Sequence, residues 1–198
     1  MPYKPKSKST AIDPAVQDFA APGLPGEARV DSDSTPAAFG RAFSLIAFTM
    51  NRFVVDQIIR GARLFDNDIE AMILFATVAH LNVAHLMPPG STLKSVLGAD
   101  GVLLDAQPRM RAVRLRHLAQ IAGRPIETVR RKLKILETRG WLLRRADGYV
   151  LNVDSVDPAM HALTVDGVRR FMDASRVIAA ALRDADTALA RERDAPTP

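Results

Sequence analysis

The chain has 198 residues, 47% of them hydrophobic and 25% charged, a composition typical of globular proteins that leaves room for one sizeable core or two small ones and excludes a large multidomain enzyme. It contains no cysteine, which removes disulfides, thiolate nucleophiles and cysteine-ligated zinc together and suits a reducing compartment. The net charge of +5 is unevenly placed: residues 109–145 carry twelve Arg and Lys against Glu127 and Glu137, a local +10 that leaves −5 elsewhere, and such a basic module is the electrostatic footprint of a phosphate-backbone binder.

In chain order, residues 1–36 hold six prolines with Gly, Ser and Asp between them and little apolar periodicity, so they read as a flexible arm. The basic start has no apolar run or cleavage site of a secretory signal, and a cytoplasmic location is expected. Lys4, Lys6 and Lys8 read as part of a solvated tail. From Ala37 to about Arg63, Phe39, Phe43, Ile46, Met50, Phe53, Val54 and Ile58 recur at helical spacing and predict a long amphipathic helix. Asp66 and Asn67 offer caps for a second helix from Ile69 to about Met87, ended by Pro88 and Pro89, and the two helices are expected to pack as a hairpin. The stretch 71–93 is uncharged and near the length of a bilayer span. His80, Asn82 and His85 within it, and the prolines after it, favour a buried helix instead, so no membrane role is expected.

Residues 91–108 predict a short helix at Thr92–Leu97 and a connector ending at Pro108. Beyond the basic module, Asp166 is placed to cap a last helix to about Glu192, with Val168, Phe171, Ile178, Leu182 and Leu189 as its stripe. The expected organisation is an arm at 1–36, a helical assembly region at 37–108, a reader at 109–153 and a C-terminal helix at 154–198.

Within the reader, Ala119 and Gly123 lie four apart and Val129 six further on. Small Ala lets two helices approach, Gly supplies a positive-φ cap between them, and Val packs the second on the first. Pro125 suits the start of the second helix, where its missing N–H is no loss. At 100° per residue, Val129, Leu133 and Leu136 share one face and Glu127, Arg130, Arg131 and Lys134 the opposite one. Gly140–Arg145 and Tyr149–Leu151, joined across Asp147–Gly148, predict a β-hairpin wing. The expected fold is therefore mainly α: a winged helix-turn-helix with a small hairpin, plus a helical dimerisation region.

The segment Ile126-Glu-Thr-Val-Arg-Arg-Lys-Leu-Lys-Ile-Leu-Glu137, followed by Gly140-Trp141-Leu142, resembles the DNA-binding domain of the cyclic AMP receptor protein family, and is similar to multiple-antibiotic-resistance-type regulators. The likeness covers about 40 residues of the 198. Upstream there is no Gly-punctuated roll for a cyclic nucleotide, so that effector is not implied and no cofactor is expected. The resemblance implies that Glu127 and Arg131 read base edges, with Lys134 one turn along the same stripe; Arg suits guanine O6 and N7, and Glu accepts from cytosine N4. Ile126 stands where that family often has arginine, so its operator does not carry over. Arg116, Arg124, Thr128, Arg130, Arg144 and Arg145 are assigned to phosphates.

No Gly-x-Ser-x-Gly elbow or phosphate-cradling loop is present. His80 and His85, five apart, diverge on a helix, so neither a catalytic nor a metal site is expected. The expectation is a transcriptional regulator, not an enzyme, that binds double-stranded DNA as a homodimer. The alternatives are a protein-recruiting scaffold and a regulator gated by a small molecule held in the helical region, with Asn82 among its polar contacts.

Overall fold

The computed structural model describes residues 36–86, 106–155 and 157–194. The expected arm and the short helix at 92–97 lie outside the described residues. The described chain is mainly helical with one two-stranded antiparallel sheet: α1 (Pro36–Leu64), α2 (Ile69–Val83) with a 3₁₀ turn at Ala84–Leu86, α3 (Ala106–Arg109), α4 (Leu115–Ala122), α5 (Ile126–Thr138), β1 (Leu142–Arg145), β2 (Gly148–Leu151), a 3₁₀ turn at Val153–Ser155, and α6 (Pro158–Asp194).

The helices do not pair as the sequence suggested. α1 and α2 were expected to form a hairpin, but α1 lies along α6 and α2 belongs to the core of the other half. Along the α1–α6 pair, Arg41 meets Glu192 at 2.7 Å, the Phe53 and Phe171 rings lie 5.7 Å apart, and Arg60 reaches Asp166 at 3.7 Å. Those contacts run in opposite directions along the two helices, so the pair is antiparallel.

Asp166 was expected to begin α6. It sits two turns inside that helix, bonded to Arg170, and the Arg170 guanidinium holds its carboxyl below the usual carboxylate range. The start is set instead by Asp157, whose Oδ1 accepts from Ala159 N at 2.8 Å, with Pro158 opening the first turn. Asp before Pro is a start signal in its own right.

α2 is capped by Asp68, which accepts from Ala71 N at 3.0 Å. The two expected caps, Asp66 and Asn67, form the elbow before it and carry positive φ of 54° and 63°, a conformation that Asp and Asn tolerate better than most side chains.

The main core joins α2, α4, α5 and the hairpin. Leu118, Val129, Leu133, Leu136 and Leu142 are fully buried against Leu74 and Val78 of α2, and removing one such leucine side chain to Ala costs about 2–5 kcal/mol. Trp141 collects Phe65 of the elbow at 5.0 Å and Phe75 of α2 at 5.9 Å.

The hairpin pairs Leu142 with Leu151 and Arg145 with Gly148, and Val113 adds an isolated bridge to Tyr149 on its outer side. Gly148 has φ of 153°, and a Cβ there would collide with the Val113 carbonyl. The fully buried Asn82 side chain fastens this edge to α2: Nδ2 donates to Arg111 O at 2.7 Å and to Tyr149 O at 3.2 Å, and Oδ1 accepts from Leu151 N at 2.8 Å. Both amide hydrogens and the carbonyl oxygen are thus engaged in the fold, on a fully buried side chain, which removes it from the ligand role the sequence allowed.

By length and composition, two helical stretches, Pro36–Leu64 and Ile69–Leu86, are long and apolar enough to cross a membrane. Of these, Ile69–Leu86 puts Leu74, Val78 and Asn82 into the core just described.

Candidate nucleic-acid interface

α4 ends at Gly123, with φ of 59°, and Arg124 N closes back on Ala119 O at 3.1 Å. This left-handed exit turns the chain sharply into Pro125 and α5. The expected opposition of faces on α5 is present: Val129, Leu133 and Leu136 are buried, while Glu127, Arg130, Arg131 and Lys134 are exposed. Amphipathicity alone dictates this, because the apolar stripe can be satisfied only by turning the basic stripe to solvent.

The cations on this surface fall into three groups. The first is tied to the elbow. Arg124 meets Glu70 at 2.5 Å, Lys132 reaches Asp68 at 2.6 Å and Glu70 at 3.3 Å, and Arg139 pairs with Asp66 while its guanidinium lies 5.0 Å above the Trp141 ring. Lys132 is mostly buried, with 12% of its side chain exposed. Burial pulls its ammonium towards lower pKa, but the hydrogen bonds to Asp68 and Glu70 outweigh that and hold it above the usual lysine range. Burial likewise pushes Asp68 up, and the bonds from Lys132 and Ala71 N reverse this to leave it lowered. Lys132 was no part of the predicted site: its i, i+4 pattern says only that it flanks the apolar stripe, and its partner Asp68 lies 64 residues away.

The second group pairs within α5. Arg130 Nε sits 3.1 Å from Glu127 Oε2, and Lys134 Nζ 3.1 Å from Glu137 Oε2, both on exposed surface. Such pairs contribute about 0.3–0.5 kcal/mol and exchange readily for a stronger anion.

The third group is open. Among the described residues, no hydrogen bond or ion pair engages the side chains of Arg111, Arg114, Arg116 or Arg131. Thr128 is half-buried on the flank of the same helix.

On the hairpin the two arginines part company. Arg144 is exposed, its guanidinium 5.9 Å from the Tyr149 ring centre. Arg145 points inward and donates to Gln107 O at 2.6 Å and Met110 O at 3.3 Å, so it ties the connector to the hairpin instead of standing free for a phosphate. Arg124 pairs with Glu70 on surface as exposed as that of the α5 pairs. Of the predicted site, Glu127, Arg130, Arg131 and Lys134 share one exposed face on α5, Arg116 lies on α4, and Arg144 projects from the hairpin.

Among the described residues no group of His, Asp and Glu could hold a metal ion. His85 is used structurally: Nε2 lies 3.0 Å from Arg109 O, and burial, with the nearby Arg111 and Arg109 charges, lowers its pKa. Comparison of the chain with protein-family models, curated proteins and solved structures finds no match.

Proposed function

We propose that the chain is a sequence-specific DNA-binding regulator in which α2, α4, α5 and the hairpin act as a winged helix-turn-helix, α5 entering the major groove. The observation that carries this reading is the open side of α5. Arg131 is exposed there with no partner among the described residues, flanked by Glu127, Arg130 and Lys134, whose own pairs are exposed and cheap to exchange. Arg116 and Arg144 extend the basic surface on either side, as backbone contacts beside a reading helix require.

The partner is double-stranded DNA and the working form a homodimer in the cytoplasm. Support for the dimer comes from α1, which exposes Phe39, Phe43 and Met50 on one flank and Leu45, Phe48, Val55 and Ile59 on the other, while α6 exposes Val168, Phe171 and Met172. A helix apolar on several sides belongs inside a larger assembly, and an antiparallel pair meeting its two-fold copy makes a four-helix bundle. Two reading helices then face half-sites one helical turn, or a multiple of it, apart.

Selection from random DNA, followed by binding titrations of two variants, tests this. Arg131→Ala is expected to cost about 1–3 kcal/mol on the selected site and to relax one base position per half-site. Arg144→Ala is expected to weaken all sequences alike and to lower the salt slope of log K by about one unit per half-site. Recovery of no motif, or equal losses for Arg131→Ala on specific and random DNA, refutes the reading. The scaffold alternative is the one favoured if neither variant changes DNA binding.

A further inference from the structure

The seam between the reading unit and the start of α6 holds a half-open cavity of about 260 Å³. Phe75, Trp141 and Leu151 wall it on one side, Met160 and Thr164 of the first turns of α6 on the other, and Asp157 and His161 stand with them. The lining is almost wholly apolar, so this space does not suit ordered water, which needs several polar partners. An apolar cavity of roughly 150 Å³ accepts a benzene ring. The two aromatic rings and the Met160 thioether favour an aromatic guest, through edge and sulfur contacts that an aliphatic chain does not make as well.

The polar group beside the cavity fixes the guest's other end. Asp157 gives Oδ1 to Ala159 N at 2.8 Å, and its carboxyl is the one acidic group of the lining, whose other polar side chains are Asn152, Ser155, His161 and Thr164. A guest with an ammonium or another strong donor one or two carbons from its ring satisfies both features. A carboxylate of the same size meets like charge.

We propose that this cavity binds a small aromatic amine, and that its occupancy alters how the reading unit sits on α6. The second half rests on the DNA-binding reading above; the first does not. The cavity has walls on both bodies, so a guest that fills it has different contacts whenever the two shift relative to each other, which is the differential affinity a ligand needs to move a conformational equilibrium.

Trp141 is the only tryptophan of the chain and lines the cavity, so its emission reports occupancy directly. Phenethylamine titrated into the full chain, with excitation at the red edge of tryptophan absorption, is expected to give a saturable change. Phenylacetate is expected to bind at least tenfold more weakly. Thr164→Phe, which fills the space from an exposed helical position, is expected to abolish the response, and Asp157→Asn, which keeps the helix cap, to weaken phenethylamine at least tenfold. Helical circular dichroism and melting temperature confirm that both variants fold. No saturable change, an equal response to amine and acid, or a response that survives Thr164→Phe overturns the site. Saturation of Trp141 with unaltered affinity for the selected DNA overturns the coupling and leaves the site standing. Absence of any DNA binding refutes the regulator reading, while the fluorescence result still decides the site.

Discussion

Replacing Asn82 by Ala isolates a polar group that ties three backbone positions together. The side chain is fully buried and serves Arg111 O, Tyr149 O and Leu151 N. Truncation leaves Tyr149 O its bond from Val113 N at 3.0 Å, but strands the Leu151 N–H and the Arg111 carbonyl. Each unmade buried bond costs about 1–3 kcal/mol, so the pair amounts to about 2–5 kcal/mol after partial relaxation. Domains of this kind are stable by about 5–15 kcal/mol, and with a urea slope of about 1–3 kcal/mol/M the midpoint falls by about 1–3 M. Urea titration followed by Trp141 fluorescence and far-ultraviolet circular dichroism measures it. Asn82→Asp sharpens the test, because at neutral pH a carboxylate faces two carbonyl oxygens with no donor. It is expected to be worse than Ala near pH 7 and to recover as acid protonates the carboxyl and supplies a donor. A midpoint shift below about 0.5 M for Asn82→Ala at unchanged slope refutes the view that this residue holds the hairpin to α2.

Lys132→Met is expected to cost about 1–2 kcal/mol near neutral pH, between the values for exposed and fully buried pairs, measured by the same titration. The Lys132 contribution, from a raised pKa, is full below the ordinary lysine value and fades as pH rises through the folded one. That of Asp68, from a lowered pKa, is full above the ordinary carboxylate range and fades as pH falls through its folded value. Both limbs flatten in Lys132→Met, and unchanged limbs refute the pairing. Gly148→Ala introduces a Cβ against the Val113 carbonyl at a φ of 153°, and a melting experiment is expected to show a loss of about 1–3 kcal/mol; a neutral outcome refutes the tight approach. Phe43→Glu with Phe48→Glu is expected to turn a sedimenting dimer into a folded monomer, since both side chains are exposed and such changes scarcely affect a single chain. A wild-type monomer, or wild-type protein that pellets with lipid vesicles instead of dimerising, refutes the bundle.

Local chemistry made part of this fold legible in advance. Gly123 after a short apolar helix, the opposed faces of α5, and Asp147–Gly148 between two short runs each act within four or five residues, and the described elements follow them. The partners of α1 and α2 were not legible, because both helices are apolar enough to pack on anything and nothing in their periodicity names the far surface. The start of α6 was misplaced since Asp166 and Asp157 are equally good caps in isolation; Pro158 was the signal that separates them. The same limit applies to the cations. Arg144 and Arg145 are neighbours of one type, and only the carbonyls of Gln107 and Met110, more than thirty residues upstream, turn one of them inward. Lys132 resembles its neighbours on α5 until Asp68 and Glu70 arrive beside it.

The antiparallel α1–α6 pair also sets an order of events during folding. Arg41 and Glu192 are 151 positions apart, whereas the contacts among α4, α5 and the hairpin span a few tens of residues. Closing the longer loop adds only a modest entropy once the intervening chain is compact, but its contacts are of high sequence separation and form late. The unit of α4, α5 and the hairpin therefore condenses first, and the two long helices zip together afterwards, the second of them 37 residues long and about 55 Å from end to end. Until they do, the apolar flanks of α1 are exposed in full, so refolding speed and yield become functions of protein concentration, with capture by a second copy competing against aggregation in the last step.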